Sequence, residues 1–293
     1  MEFGEYQDKV ADTDQHNSVD PDDHERDVLM HLLGLEGEAG SVATVYKKHM
    51  RDGKAYEGWR FEMREELGDC LWYLATLANK LDLTMEDIAK SNLVKTRSRW
   101  LPTDIDQIDA DAPADQQLPR RGVMVFTETI NAYGRPQVVV TVNGEQIGQP
   151  LTDNAYNDDG YRFHDVFHLA YATILGWSPV MRRNLGCKRK YDQDKDEAED
   201  GGRAIVTEEG VSLYAFAYGQ LRNSLDGIAR LDFTFLDSIT LMTRGFEVGV
   251  RTAADWERAI LEGHRMFREL VAHGGGAVTF DADQRELTFE PPS

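Results

Sequence analysis

The sequence EMREELGDCLWYL, residues 62–74, decides the fold of the first part of this chain. Its apolar side chains recur every three or four positions, which predicts an amphipathic helix. On a helix that advances 100° per residue, the acids of this stretch fall within an arc of about 100° beside the apolar face. These acids are Glu62, Glu65, Glu66 and Asp69. Four carboxylates therefore share one edge of a predicted helix.

Two further helices are predicted on either side of this one, which runs from about Trp59 to Leu81. Before it, apolar residues recur at helical spacing from Val28 to Tyr46, and Arg51-Asp52-Gly53 ends that helix. After it, a helix is predicted over 84–100, with Thr84 and Asp87 spaced as an N-terminal cap. The region is therefore predicted to be all helical.

The length and composition predict a multi-domain chain, because 293 residues exceed the usual size of one hydrophobic core. Residues 1–25 are interpreted as a short helix followed by an acidic connection that extends to Arg26. Residues 26–100 form the all-α domain, and residues 101–120, acidic and containing prolines, form a linker. Residues 121–293 are predicted to form a C-terminal α+β domain.

The C-terminal domain mixes β-rich runs with helical patterns. Asn143-Gly144, between Val142 and Glu145, is the strongest short hairpin signal. An apolar helix over 161–177 is expected to stop at Ser178-Pro179, and a polar loop is expected over 188–202. The remaining predicted strands are 123–130, 138–142, 278–280 and 287–289, and the remaining predicted helices are 207–222, 228–243 and 253–273.

The formal charge of −20 argues against binding to a nucleic-acid backbone. It also looks unfavourable for an enzyme of polyanionic nucleotides, unless clustered carboxylates hold divalent cations that face the phosphates. No apolar run approaches the roughly 18 residues of a membrane helix, so no membrane span is expected. The acidic amino terminus lacks the features of a signal peptide, which predicts a cytoplasmic protein.

The four acids of residues 62–74 allow two interpretations. A run of charges is usually a solvated helix face. Here the acids lie at the edge of the core. A second predicted helix adds Glu38, in the glycine-flanked sequence GEAGS, residues 37–41. Carboxylate oxygens are the ligands that Mg²⁺ prefers, and like charges this close need neutralisation. The pattern therefore favours a metal site.

Three stretches together resemble the MazG-type all-α nucleoside triphosphate pyrophosphohydrolases: LEGEAGS (35–41), EELGDCLWYL (65–74) and NLVKTR (92–97). The resemblance covers about a quarter of the chain and implies cleavage of a nucleoside triphosphate to a monophosphate and pyrophosphate. It implies Glu38, Glu66 and Asp69 as ligands of Mg²⁺, with Mn²⁺ as a substitute, and Glu62 and Glu65 in supporting roles. The substrate-binding candidates are Asn92, Lys95, Lys48 and Trp59. A homodimer or homotetramer is also implied.

One position departs from the family pattern, since Ser41 stands where a second Glu is usual. A hydroxyl contributes no charge to a metal, so one ion is lost or held more weakly, unless Glu62 replaces the missing carboxylate. The alternative hypothesis is a nucleotide-binding regulatory or defence protein with weakened hydrolase activity.

The C-terminal domain carries a second group of candidate residues. His164 and His168 have the i, i+4 spacing that lets two imidazoles reach one metal, and Asp165, Glu208 and Glu209 could complete a site. Ordinary core packing and local hydrogen bonding remain the alternative for the two histidines. A basic stretch contributes further candidates for phosphate binding, with a charge-balancing surface loop as the alternative. Its residues are Lys188, Arg189 and Arg203.

Overall fold

The computed structural model describes residues 1–15, 21–104, 107–153 and 155–292. The chain divides into two compact units, Met1–Thr96 and Arg97–Ser293, called here the first and the second unit. Among its described residues, the first unit is formed by helices. The last of them continues past Thr96, so its final residues belong to the second unit. The helices are α1 (Phe3–Ala11), α2 (Pro21–Asp52), α3 (Trp59–Lys80) and α4 (Met85–Trp100), with a short 3₁₀ helix (Gly53–Ala55) between α2 and α3.

The boundaries of α3 and α4 agree with the predicted helices to within one residue. The predicted cap of α4 is also present, because the Thr84 hydroxyl oxygen accepts the backbone N–H of Asp87 at 3.0 Å. By contrast, α2 begins at Pro21 and not near Val28. The acidic connection predicted up to Arg26 is therefore wrong for residues 21–26, where proline suits the first helical position. Residues 16–20 of that connection lie outside the described residues.

Helix α3 packs against both α2 and α1. A buried amide helps to fix the first unit: Gln7 of α1 donates to the side chain of Asn79 and to the carbonyl of Leu83, each at 2.8 Å. Its Oε1 atom accepts the backbone N–H of Met85 at 2.8 Å. One side chain therefore connects α1 to the end of α3 and the start of α4. A small apolar cluster surrounds it and includes Val10, Ala75, Ala78 and Met85.

The second unit contains a five-stranded antiparallel sheet in the order β3-β2-β1-β4-β5. Alternate residues of β1 and β2 are buried, as expected of strands that cover a core with one face. Asn143 and Gly144 both have positive φ, 51° and 89°, and they form the predicted hairpin turn. The strands are β1 (Arg121–Ile130), β2 (Pro136–Val142), β3 (Glu145–Gln146), β4 (Gly275–Asp281) and β5 (Glu286–Glu290).

Six α-helices accompany the sheet among the described residues of the second unit. Helix α10 packs against α5 and against β4 and β5, which brings helices and sheet into one hydrophobic core. A capping box of Thr252 and Asp255 starts α10. The helices are α5 (Asp165–Leu175), α6 (Pro179–Leu185), α7 (Gln193–Ala198), α8 (Gly202–Gln220), α9 (Phe233–Thr243) and α10 (Ala253–His273).

Several boundaries predicted for this unit are wrong in detail, since α8 begins at Gly202 and not near 207, and α9 begins at Phe233 and not near 228. Ser178-Pro179 does not end α5, which stops at Gly176 in the left-handed conformation; instead the Ser178 hydroxyl caps a new helix, α6. The loop predicted over 188–202 contains α7, which is capped by the side chain of Asp192. The predicted fold class, an all-α first part followed by an α+β second part, is confirmed. None of the described helices is both long and apolar enough to span a membrane.

Candidate functional sites

A carboxylate cluster in the first unit consists of Glu38 from α2 and Glu66 and Asp69 from α3. One carboxylate oxygen of each residue lies within 4.8 Å of the others. Glu66 and Asp69 share a face because they are three positions apart on a helix, and the packing of α2 on α3 adds Glu38. The structure thus brings together the three residues that the family resemblance implied as metal ligands.

The electrostatics of the carboxylate cluster favour a cation. Partial burial raises the pKa of Glu38, and the negative charges of Asp69 and Glu66 raise it further. Within the described parts of the chain, none of the three carboxylates forms an ion pair with Lys, Arg or His. Three oxygen ligands without a positive partner fit a hard divalent cation such as Mg²⁺.

The two other acids of this stretch have interactions of their own. Glu62 accepts a hydrogen bond from the Tyr56 hydroxyl. This bond, with some burial, raises the pKa of Tyr56 to about 12. Glu65 is exposed and lies 3.5 Å from Arg64. Tyr56 was not found from the sequence, because it lies in the turn before α3, where no periodicity indicates which way a side chain points.

The proposed substrate-binding residues have different surroundings. Asn92 and Lys95 are exposed on α4, and neither side chain forms a hydrogen bond or ion pair within the described ranges. The Lys48 ammonium lies 5.9 Å from the centre of the Tyr56 ring. The Trp59 ring stacks on His49 with 4.1 Å between ring centres, so one of its faces is already covered.

A histidine cluster in the second unit consists of His164 and His168, at the start of α5, and Glu209 of α8. Their ligand atoms also lie within 4.8 Å of one another. His168 is fully buried, and its Nδ1 atom lies 2.8 Å from Oε1 of Glu208. Burial disfavours the charged imidazole, but Glu208 and Glu209 outweigh this effect and raise the pKa of His168 to about 10. Asp165 is close by, with 3.6 Å between its Oδ1 atom and Nε2 of His164.

Glu208 and Glu209 have distinct environments although they are adjacent in sequence. Glu208 is completely buried and also accepts hydrogen bonds from the Ser178 hydroxyl at 2.6 Å and the Val180 backbone N–H at 2.8 Å. The side chain of Glu209 is 38% exposed and borders a cavity of about 850 Å³. Glu208 therefore anchors His168, whereas Glu209 faces open space.

The three residues of the basic stretch have different surroundings in the structure. The Arg189 guanidinium is buried in ion pairs with Asp200 and Glu247, at 2.7 Å in each case. Lys188 pairs with Asp196 at 3.2 Å. Arg203 is exposed beside a different cavity. Arg189 thus belongs to a buried ion-pair network. Lys188 pairs with a nearby acid, as expected of a surface loop whose charges balance one another.

Comparisons with known proteins divide the chain at nearly the same place as its two compact units. The Gene 37 protein of Mycobacterium phage L5 is 44% identical over 69 residues, which are 23% of this chain and 60% of that protein. The chain thus spans less than two thirds of this relative. No solved structure matches the chain. The model of the MazG nucleotide pyrophosphohydrolase domain matches residues 27–100, and that of the MazG C-terminal domain matches residues 103–293. The chain therefore belongs to the MazG family of nucleotide pyrophosphohydrolases and carries the C-terminal domain of that family.

Proposed function

We propose that this protein hydrolyses a nucleoside triphosphate, or a related polyphosphorylated nucleotide, to a monophosphate and pyrophosphate with the help of Mg²⁺ or Mn²⁺. The observation that carries the proposal is the convergence of three carboxylates without a cationic partner inside a MazG domain. Glu38, Glu66 and Asp69 would hold the metal through their oxygens. A bound divalent ion would neutralise phosphate oxygens and lower the pKa of a coordinated water.

The protein groups would then position the reactants and accept a proton. A carboxylate of the cluster takes the proton of the attacking water as the water oxygen bonds to the α-phosphorus. The bond from that phosphorus to the bridging oxygen breaks, and pyrophosphate leaves with the electron pair. Lys95 and Lys48 are proposed to contact phosphate, while Asn92 offers an amide to phosphate or sugar. Trp59 is proposed to stack on the base.

The test compares acids of the cluster with exposed acids of α2. Glu66→Gln and Glu38→Gln remove ligands, whereas Glu25→Gln and Glu36→Gln change the same charge at exposed positions of α2. Pyrophosphate and monophosphate are measured with Mg²⁺ and a panel of canonical, deoxy and modified triphosphates. We expect the two ligand variants to lose at least about 100-fold in turnover and the two controls to keep it. Equal activity in all four variants would refute the assignment of the site.

A regulatory protein is the second candidate, and Ser41 is the observation in its favour. This residue is partly buried on α2, three positions after Glu38, where a carboxylate would complete a stronger metal site. If the serine limits catalysis, the wild-type protein binds nucleotide with slow turnover, and Ser41→Glu increases the rate. Nucleotide binding with no turnover in either protein would favour the regulator over the enzyme.

We also propose that the protein is a homodimer or homotetramer. Large apolar side chains on the helices of the first unit are about half exposed, including Leu29, Leu33, Phe61 and Leu67. Surface of this kind is commonly covered by a partner subunit. Light scattering coupled to gel filtration tests the proposal, and a monomer at micromolar concentration would contradict it. The cytoplasmic location stays a prediction.

A further inference from the structure

The histidine cluster lies beside the cavity of about 850 Å³ in the second unit. His164, Asp165 and Glu209 line this cavity, and His168 lies directly behind them. The carboxylate cluster of the first unit uses none of these residues. The carboxylate cluster therefore does not account for the ionisable side chains that line this cavity.

Both imidazoles are held in the orientation typical of metal ligands. Nδ1 of His164 lies 3.0 Å from the carbonyl oxygen of Tyr161, and that oxygen can only accept a hydrogen bond. Nδ1 of His168 faces the Glu208 carboxylate in the same way, at 2.8 Å. A proton on each Nδ1 leaves the Nε2 lone pair available. Metal-binding histidines commonly donate their second nitrogen to a carbonyl or carboxylate in this manner.

The Nε2 atom of His168 has no hydrogen-bond partner among the described residues, although its side chain is completely buried. Oε2 of Glu209 approaches it to 3.3 Å without the geometry of a hydrogen bond. A buried polar atom without a hydrogen bond is costly, and coordination of an ion would remove that cost. Nε2 of His168 thus faces the same small volume as the donor atoms of His164 and Glu209.

We propose that His164, His168 and Glu209 hold a divalent transition-metal ion of the Zn²⁺ class, with one coordination position open to the cavity. Two imidazole nitrogens and one carboxylate oxygen suit such an ion better than Mg²⁺, which prefers oxygen ligands. Glu208 is the positioning residue, because it fixes the His168 ring from the far side. Asp165 is near enough to supply a further oxygen.

The competing state is a protonated His168 placed between Glu208 and Glu209. A proton and a metal ion compete for the same Nε2 atom, so metal occupancy decides between them. Co²⁺ is a suitable probe, because its visible absorption reports nitrogen and oxygen coordination. The full-length chain should carry Glu66→Gln and Asp69→Asn, which remove the carboxylate cluster as a source of binding. The result is then independent of the proposed hydrolase activity.

In the Glu66→Gln, Asp69→Asn background we expect the chain to bind one Co²⁺ ion and to show visible absorption bands. Added Zn²⁺ should displace the Co²⁺ and remove these bands. Glu209→Gln, at a partly exposed position, should weaken binding at least tenfold, and His164→Gln should do the same if the first variant does not fold. His273→Gln is the matched control, because it replaces a histidine that pairs with a glutamate, Glu269, on the exposed surface of α10. Absence of binding in the folded background protein, or binding unchanged by both site variants, would overturn the proposal.

Discussion

Replacing Glu38 by Gln should stabilise the metal-free protein and yet destabilise it relative to wild type when Mg²⁺ is present. The raised pKa of Glu38 reflects burial and repulsion from Asp69 and Glu66. An ionised carboxylate whose pKa is raised on folding opposes folding. Each like-charge neighbour of this kind costs about 0.2–0.5 kcal/mol, so removal of the charge should contribute at most about 0.4–1 kcal/mol in chelator, the lower end applying where solvent screens the charges. For a unit of this size, that corresponds to about 2–8 °C in Tm.

Mg²⁺ should make wild type more stable than Glu38→Gln, the reverse of their order in chelator. A ligand at 100 times its Kd stabilises the state that binds it by about 2.7 kcal/mol, which exceeds the repulsion removed by the substitution. Wild type therefore gains stability from Mg²⁺, whereas Glu38→Gln gains much less. The dependence on pH has a defined sign. The repulsion in metal-free wild type is fully present above the raised pKa of Glu38 and is relieved as the pH falls through it, so the two proteins converge at low pH.

Scanning calorimetry of the full-length chain, in chelator and then with Mg²⁺, measures these shifts. Glu36→Gln is the control, because it makes the same change at an exposed position two residues earlier on α2. A lower Tm of Glu38→Gln in chelator, or an equal response of both proteins to Mg²⁺, would refute the interpretation of the cluster as a metal site.

Three further predictions concern the second unit. Glu208→Gln should cost about 3–5 kcal/mol, because it leaves the buried charge of His168 poorly compensated, and urea unfolding in chelator would show this as a lower midpoint. Gly275→Ala should cost more than about 1 kcal/mol, since φ is 128° and a Cβ atom would collide with the carbonyl of Phe126; an unchanged thermal midpoint would contradict this. Thr252→Ala should lose about 1 kcal/mol through the N-terminal cap of α10, whereas Thr252→Ser should retain most of it in the same assay.

The sequence predicted those elements whose ends carry local signals. Helix α10, expected over about 253–273, is observed at Ala253–His273, and the capping box of Thr252 and Asp255 in the structure is a local signal of this kind. Helices α6 and α7 were missed because they are too short for periodicity, and their caps, Ser178 and Asp192, also occur in ordinary turns.

The candidate sites were predictable to the extent that helix geometry alone defines them. The spacing of Glu66 and Asp69 places both on one face, but their proximity to Glu38 depends on how α2 packs against α3. That part came from the family resemblance. Likewise, the sequence paired Glu208 with Glu209 as candidates. Only the structure separates the residue that anchors His168 from the one that faces the cavity.

The contrast between paired and unpaired acids gives a physical criterion for the function of a carboxylate in this strongly acidic chain. Asp109 is fully buried, with Arg120 at 2.6 Å and Arg182 at 2.5 Å. Burial alone would raise its pKa, but the backbone N–H of Leu118 and the two arginines outweigh this and lower it. Among the described residues Glu38 has no such partner, and its pKa is raised. A raised carboxylate pKa at a site without arginine is thus the condition under which a divalent cation would add most to stability, and this supports our proposal that the carboxylate cluster binds a metal.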